Sequence, residues 1–197
     1  MAEPLLLGTN NQGKVVELAE IFRGLPWDIR SLADFPPVPA PIEEGDTFEA
    51  NAIAKAAYFS QRFNVWCVAD DSGLVVDALG GGPGVLSARY AGPDATDSAN
   101  SAKLLAALEG TPESERTARF VCCAAVVKPD GDVHVEFGTV EGRIAFELRG
   151  RSGFGYDHLF IAEGFDKTFA EVGPARKLAV SHRGRAFRKL RAYLESL

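Results

Sequence analysis

Two clusters of residues in this chain have the types and spacing that chemistry requires. Asp70-Asp71-Ser72-Gly73 directly follows the apolar run Val65 to Ala69. An open α/β sheet commonly holds its ligands just beyond the end of such a strand. Two adjacent carboxylates point in different directions, so one can hold a metal while the other orients it or a water. Magnesium usually takes one or two carboxylates and keeps waters and substrate phosphates as its other ligands. An Asp-Ser-Gly turn between strands would use the same residues, but an acidic pair beside an apolar strand is costly unless it is employed. The second cluster, Thr9-Asn10-Asn11-Gln12-Gly13-Lys14, lies between the run Leu5 to Leu7 and a helical pattern. Backbone amides at a helix start, joined by hydroxyl, amide and lysine side chains, favour phosphate oxygens. The GxxxxGK[ST] spacing is absent, so this is not a Walker loop.

Three further segments carry weaker signals. Glu43-Glu44 precedes a helix and could add a carboxylate to the same cation, or could be a solvated pair favoured by the helix dipole. Ser152-Gly153-Phe154-Gly155-Tyr156-Asp157 spaces glycines around aromatics. Glycine lets the backbone approach a ligand and an exposed Phe can stack on a base, although a core Phe at a hairpin end fits equally. Ser181-His182-Arg183-Gly184 follows Arg176-Lys177 and opens the last helix. Arginine or a charged histidine can donate to purine O6 or N7; a solvated basic face is the ordinary alternative.

The elements that must position these residues follow from periodicity. Leu5 to Leu7 reads as a buried strand, and Val15, Leu18, Ala19, Phe22 and Leu25 recur with a helical period. Trp27 to Leu32 is a second strand. Four prolines between Asp34 and Pro41 dictate an extended loop. Asp46, with Glu49 three residues on, resembles a capping box for a helix reaching Phe63. Val65 to Ala69 is a short strand ending at the aspartate pair, and Asp97 to Leu108 is helical. Arg119 to Lys128 and Val133 to Leu148 form long strands joined at Pro129-Asp130-Gly131, and a last helix spans about Ser181 to Leu197. The fold class is therefore α/β: an elongated mixed β-sheet with flanking helices, supporting two lobes, in one unit spanning 1–197.

The bulk numbers narrow the function classes. A chain of 197 residues, 46% hydrophobic and 24% charged, is globular rather than disordered. Its net charge of −6 argues against nucleic acid as a partner, which normally needs a basic surface. No apolar run approaches the ~20 residues of a membrane helix, and the start lacks a signal-peptide pattern, so a cytoplasmic protein without membrane attachment is expected. Cys67, Cys122 and Cys123 show no CxxC spacing and read as buried, reduced thiols.

In order, TNNQGK at 9–14, DDSGL at 70–74, GGGPGVLSARYAG at 80–92, FGYD at 154–157 and SHRGRA at 181–186 closely resemble the inosine triphosphate pyrophosphatase family, across nearly the whole chain. The resemblance implies a homodimer that needs Mg²⁺ and hydrolyses inosine and xanthosine triphosphates and their deoxy forms to monophosphate and pyrophosphate. It implies that Thr9, Asn10, Asn11, Gln12, Gly13 and Lys14 hold the triphosphate, with Lys55 nearby. Asp71 would be the catalytic acid–base and a magnesium ligand, supported by Asp70 and Lys14, with Ser72 touching substrate. Phe154 would stack on the base, flanked by Gly155 and Tyr156, while Asp157, Lys177, His182 and Arg183 complete the base pocket. The second magnesium ligand would be Glu43 or Glu44, with ungapped spacing favouring Glu43. One departure stands out: the family loop usually reads FGYDP, and His158 replaces the proline. Rival readings are a pyrophosphatase for pyrimidine or modified nucleotides and a nucleotide-binding regulator without catalysis; retention of Asp71 and Lys14 speaks against the latter.

Overall fold

The computed structural model describes residues 2–197. It is a mixed α/β fold, as the sequence leads one to expect, built on a six-stranded sheet of order β2-β1-β3-β4-β5-β6. The strands are β1 (Glu3–Leu7), β2 (Trp27–Ser31), β3 (Trp66–Val76), β4 (Thr117–Val127), β5 (Val133–Ile144) and β6 (Phe160–Ala162). The helices are α1 (Gln12–Ile21), α2 (Phe48–Phe63), α3 (Asp97–Ala107), α4 (Phe169–Val172), α5 (Pro174–Val180) and α6 (His182–Glu195). β1 runs parallel to both β2 and β3, whereas β5 and β6 are antiparallel. No helix among the described residues is long and apolar enough to cross a membrane.

The chain divides into two compact units. The first comprises residues up to Asp71, Cys122–Gly138 and Arg183–Leu197. Its core joins Leu6, Phe59 and Cys67, and separately Ala52, Ala56, Ala69, Cys123, Ala125 and Val127, all fully buried or nearly so. Small residues on α2 let that helix lie close over the strands, since side-chain size limits how near two elements approach. α6 is fixed to α1 by an edge-on Phe22–Phe187 contact with centroids 5.8 Å apart. The second unit comprises Ser72–Val121 and Thr139–His182. It packs Leu74, Val76, Leu104, Leu108, Phe120, Ile144, Phe160 and Phe169 into one cluster. Arg116 is buried there and donates to the carbonyls of Leu108, Ile144 and Ala145 at 2.9–3.0 Å.

Four expectations change in detail. Asp70 to Gly73 do not end a strand: β3 continues through them to Val76. A β-strand needs only extended backbone with satisfied peptide groups, so the polar tetrapeptide does not break it. The α2 cap is Thr47 rather than Asp46, because the Thr47 hydroxyl oxygen accepts the Ala50 N–H at 3.1 Å. β5 stops at Ile144 instead of running to Leu148. The residues between Phe154 and α6 hold a further strand-and-helix segment, β6 through α5, whose pieces are too short for periodicity to reveal.

Candidate active site

In the first unit, the turn between β1 and α1 is shaped by its own side chains. Asn11 caps α1, its Oδ1 accepting the Lys14 N–H at 3.1 Å, and the Thr9 hydroxyl oxygen accepts the Asn11 N–H at 3.2 Å. Gly8 is required by close approach: a Cβ there would stand 2.8 Å from Cys67 Sγ. This turn places Lys14 so that its Nζ donates to Asp70 Oδ2 at 2.9 Å.

Asp70 is only 1% exposed and collects a second cation, Arg183, whose Nε lies 3.3 Å from the same oxygen. Arg183 in turn donates through Nη1 to Glu17 on α1 at 2.8 Å. Burial works to lower the Arg183 pKa, but Asp70 and Glu17 hold it above its ordinary value. For Lys14 the balance is reversed, burial outweighing Asp70 and leaving its pKa below that of an ordinary lysine. A charge this far out of water persists only when it is matched, and Asp70 is matched by two.

Asp71, the next residue on β3, belongs to a different set of contacts. Asn51 on α2 donates from Nδ2 to Asp71 Oδ2 at 3.1 Å. Lys55, one turn further along α2, donates from Nζ to the Asp70 carbonyl at 3.0 Å and pairs with Glu43 at 2.9 Å. Burial pushes the Asp71 carboxyl up from the usual range; Lys55 and Asn51 oppose the shift, and Glu43 adds to it. A carboxylate raised in this way holds a proton more readily than an exposed one.

Glu43 thus lies within electrostatic reach of Asp71, whereas the exposed Glu44 makes no contact in this group. Among the described residues no cluster of three or more His, Cys, Asp or Glu side chains stands ready for a metal. Magnesium does not need one: two hard carboxylate donors such as Asp71 and Glu43 fit an ion that keeps water and phosphate in its other positions.

In the second unit, Phe154 to His158 form a short helical turn and its cap. Asp157 Oδ2 accepts the Phe154 N–H at 3.0 Å and the Lys177 Nζ at 2.6 Å, the latter pair 3% and 4% exposed. Lys177 also sits 4.3 Å from the centre of the Phe154 ring. Gly155 N–H donates to Asp97 on α3 at 2.6 Å, and the Tyr156 hydroxyl donates to the Ser87 carbonyl at 2.8 Å. Asp157 therefore ties Phe154 and Lys177 into one hydrogen-bonded group, while Gly155 and Tyr156 fasten the same turn to Asp97 and Ser87. His182 belongs to the same unit, its ring stacked 4.6 Å from Phe120. Arg183, its neighbour in sequence, joins Asp70 and Glu17 in the first unit. Ser72 follows Asp71 on β3, at the start of the second unit.

A family model described as the Ham1 family matches residues 5–193. This chain belongs to the Ham1 family. The dITP/XTP pyrophosphatase of Desulforamulus reducens is 47% identical over 193 residues, covering 98% of this chain and 96% of that one. The solved HAM1 protein of Coxiella burnetii superposes with a TM-score of 0.91 at 39% identity, each chain covered in full. The Staphylococcus aureus Ham1 protein gives 0.88 at 40% identity, covering 98% of this chain and 99% of its own.

Sequence reasoning passed over three residues that this Ham1-family chain places in the two groups. Glu17 lies three residues after Lys14 on α1, and Asn51 lies four before Lys55 on α2. Both spacings put side chains on one helix face, a signal present in the sequence. Asp97, the first residue of α3, left no comparable signal, because its partner is a backbone N–H 58 positions away.

Proposed function

We propose that this chain hydrolyses non-standard purine nucleoside triphosphates, the inosine and xanthosine forms and their deoxy counterparts, to monophosphate and pyrophosphate. The whole chain, 1–197, acts as one catalytic domain. The observation that carries the reading is the contrast on β3: Asp70 neutralised by Lys14 and Arg183, and Asp71 raised in pKa beside Lys55 and Glu43. One buried carboxylate organises cations and its neighbour is set to take a proton.

The residues from Thr9 to Lys14, with Lys55, hold the triphosphate through backbone N–H groups and ammonium charge. Asp71 and Glu43 would hold Mg²⁺, which when bound would supply charge neutralisation at the phosphate oxygens. Asp71 removes a proton from water as the water oxygen bonds to the α-phosphorus. The bond from that phosphorus to the bridging oxygen breaks, and pyrophosphate leaves with the electron pair. Such chemistry depends on positioning and on matching developing negative charge.

Phe154 stacks on the base while Lys177, held by Asp157 against that ring, presents an ammonium donor. Hypoxanthine and xanthine offer an acceptor at O6, whereas adenine offers a donor; a donor facing a donor costs about 1–3 kcal/mol. Arg183 is the alternative donor, though its guanidinium already serves Asp70 and Glu17. The family resemblance also supports a homodimer. Three buried thiols outside any disulfide are in keeping with a cytoplasmic location.

The direct test is pyrophosphate release from the inosine, xanthosine, guanosine, adenosine and thymidine triphosphates, with magnesium and with a chelator. Release confined to the inosine and xanthosine forms and abolished by chelation is expected. Orthophosphate as the product, or activity restricted to the ordinary nucleotides, would overturn the assignment.

A further inference from the structure

Asn51 is 1% exposed, and every polar atom of its side chain is engaged. Its Oδ1 accepts the Gly45 N–H at 2.8 Å, while Nδ2 donates to the Gly45 carbonyl at 3.1 Å and to Asp71 Oδ2 at 3.1 Å. These partners fix the amide orientation, because the Gly45 N–H demands an oxygen and the two acceptors demand the NH₂ group. An amide is the side chain that can do all three; a carboxylate would lose both donors and place a charge against Asp71. Gly45 answers this from its own side. A Cβ there would stand 2.7 Å from Asn51 Oδ1 and 3.0 Å from the Ala50 Cβ, so the loop could not close on the amide if it carried a side chain.

Lys55 makes a second tie one helical turn away, joining Glu43 to the Asp70 carbonyl. The loop bearing Glu43 is therefore fastened at two points to consecutive residues of β3. Without these ties, that loop has no regular structure between the short helical turn ending at Asp34 and the start of α2 at Phe48. Its carboxylate would otherwise have to be immobilised at each catalytic event, at a cost in backbone entropy.

We propose that Asn51 is a positioning residue that locks the loop at Gly45 onto Asp71, and so sets the Glu43 carboxylate relative to the Asp71 carboxylate. It touches neither substrate nor reacting atoms and acts through those two residues. The inference rests on the pyrophosphatase reading of this site, but part of its test does not.

The experiment compares wild type with Asn51→Ala, Gly45→Ala and the double variant. Amide hydrogen exchange at Gly45, read on the free protein, reports the lock itself. Steady-state kinetics on deoxyinosine triphosphate across a magnesium titration report its consequence. In Asn51→Ala, Gly45 exchange rises at least about tenfold. Its kcat falls about 10- to 100-fold, the usual range for residues that orient metal-binding carboxylates, with KM within about threefold of wild type. Half-saturation shifts to higher magnesium. Gly45→Ala moves every readout the same way with Asn51 intact, and it carries the test should Asn51→Ala fold poorly. The double variant is no slower than Asn51→Ala, since both break one lock. Additive losses, unchanged Gly45 exchange, or a folded Gly45→Ala with normal kcat and magnesium dependence would overturn the proposal. A wild-type protein that releases no pyrophosphate from the substrate would instead overturn the functional reading, leaving the exchange result to stand by itself.

Discussion

Replacing Arg183 with alanine separates two roles that a single residue could fill. As a contact to the base, its loss would weaken substrate binding and leave the substrate-free protein as stable as before. The structure instead surrounds its guanidinium, 3% exposed, with Asp70 at 1% and Glu17 at 13%, through contacts of 3.3 and 2.8 Å. Removing one partner of a buried ion pair typically costs about 3–5 kcal/mol. Lys14 remains on Asp70 at 2.9 Å, so the lower end of that range, about 3 kcal/mol, applies. For a chain of this size each kcal/mol moves the unfolding temperature by about 2–4 °C, giving a drop of about 6–12 °C. Thermal unfolding of the substrate-free protein, followed by circular dichroism, reads it directly. The loss should persist at high salt, because buried pairs are little screened. Arg183→Lys, which keeps the charge but not the planar fork, should lose less. An unfolding temperature for Arg183→Ala within about 2 °C of wild type would refute the reasoning and return Arg183 to the base.

Asp71→Asn should abolish most turnover, by about 10²-fold or more, yet stabilise the protein. Because burial holds the Asp71 carboxyl above its ordinary value, the folded protein binds that proton more readily than the unfolded chain. Stability is therefore lost as pH rises from the ordinary carboxylate pKa to the raised one, and the deficit is complete above it. The Asn variant should then unfold at a higher temperature than wild type at neutral pH, with the difference vanishing in acid; equal pH profiles would contradict the shift. Lys177→Ala removes the ammonium from both Asp157 and the Phe154 ring and should raise KM for deoxyinosine triphosphate about tenfold, with kcat less affected. A larger effect on kcat than on KM would place Lys177 with the phosphates. Gly142→Ala drives a methyl group into the Ile161 carbonyl oxygen and to 2.6 Å from Phe160 Cζ, where β5 meets β6. Denaturant unfolding should show a loss of about 1–3 kcal/mol.

Much of this arrangement is legible in the sequence alone. The apolar run Leu5 to Leu7 and the period from Val15 to Phe22 marked β1 and α1, and hence where the Thr9 to Lys14 turn had to lie. The aspartate pair stood out because carboxylates beside an apolar strand need a reason. Its surroundings were not legible: that Asp70 and Asp71 have different partners depends on α1, α2 and α6, which meet β3 from 15 to 113 positions away. Periodicity describes a face of one helix and is silent on what that face meets. His182 and Arg183 illustrate the same limit. As a dipeptide they read as one basic motif, yet adjacent residues at a helix start project differently, one onto Phe120 and the other onto Asp70. The cap of α2 is ambiguous in the sequence because Asp46 and Thr47 are both good capping types, and only backbone geometry chooses Thr47.

Cys67, Cys122 and Cys123 are all buried and outside any disulfide, and burial pushes the Cys67 and Cys123 thiols up, Cys123 to about 12. Alkylating reagents attack the thiolate, so in the folded protein both of those groups are shielded twice, by lack of access and by lack of ionisation. Unfolding removes both shields together. Labelling by iodoacetamide at mildly alkaline pH then becomes an intrinsic clock for opening of the first unit, where all three reside, needing no engineered probe. Stability differences between variants could be ranked by mass spectrometry in crude lysate, at concentrations too low for calorimetry.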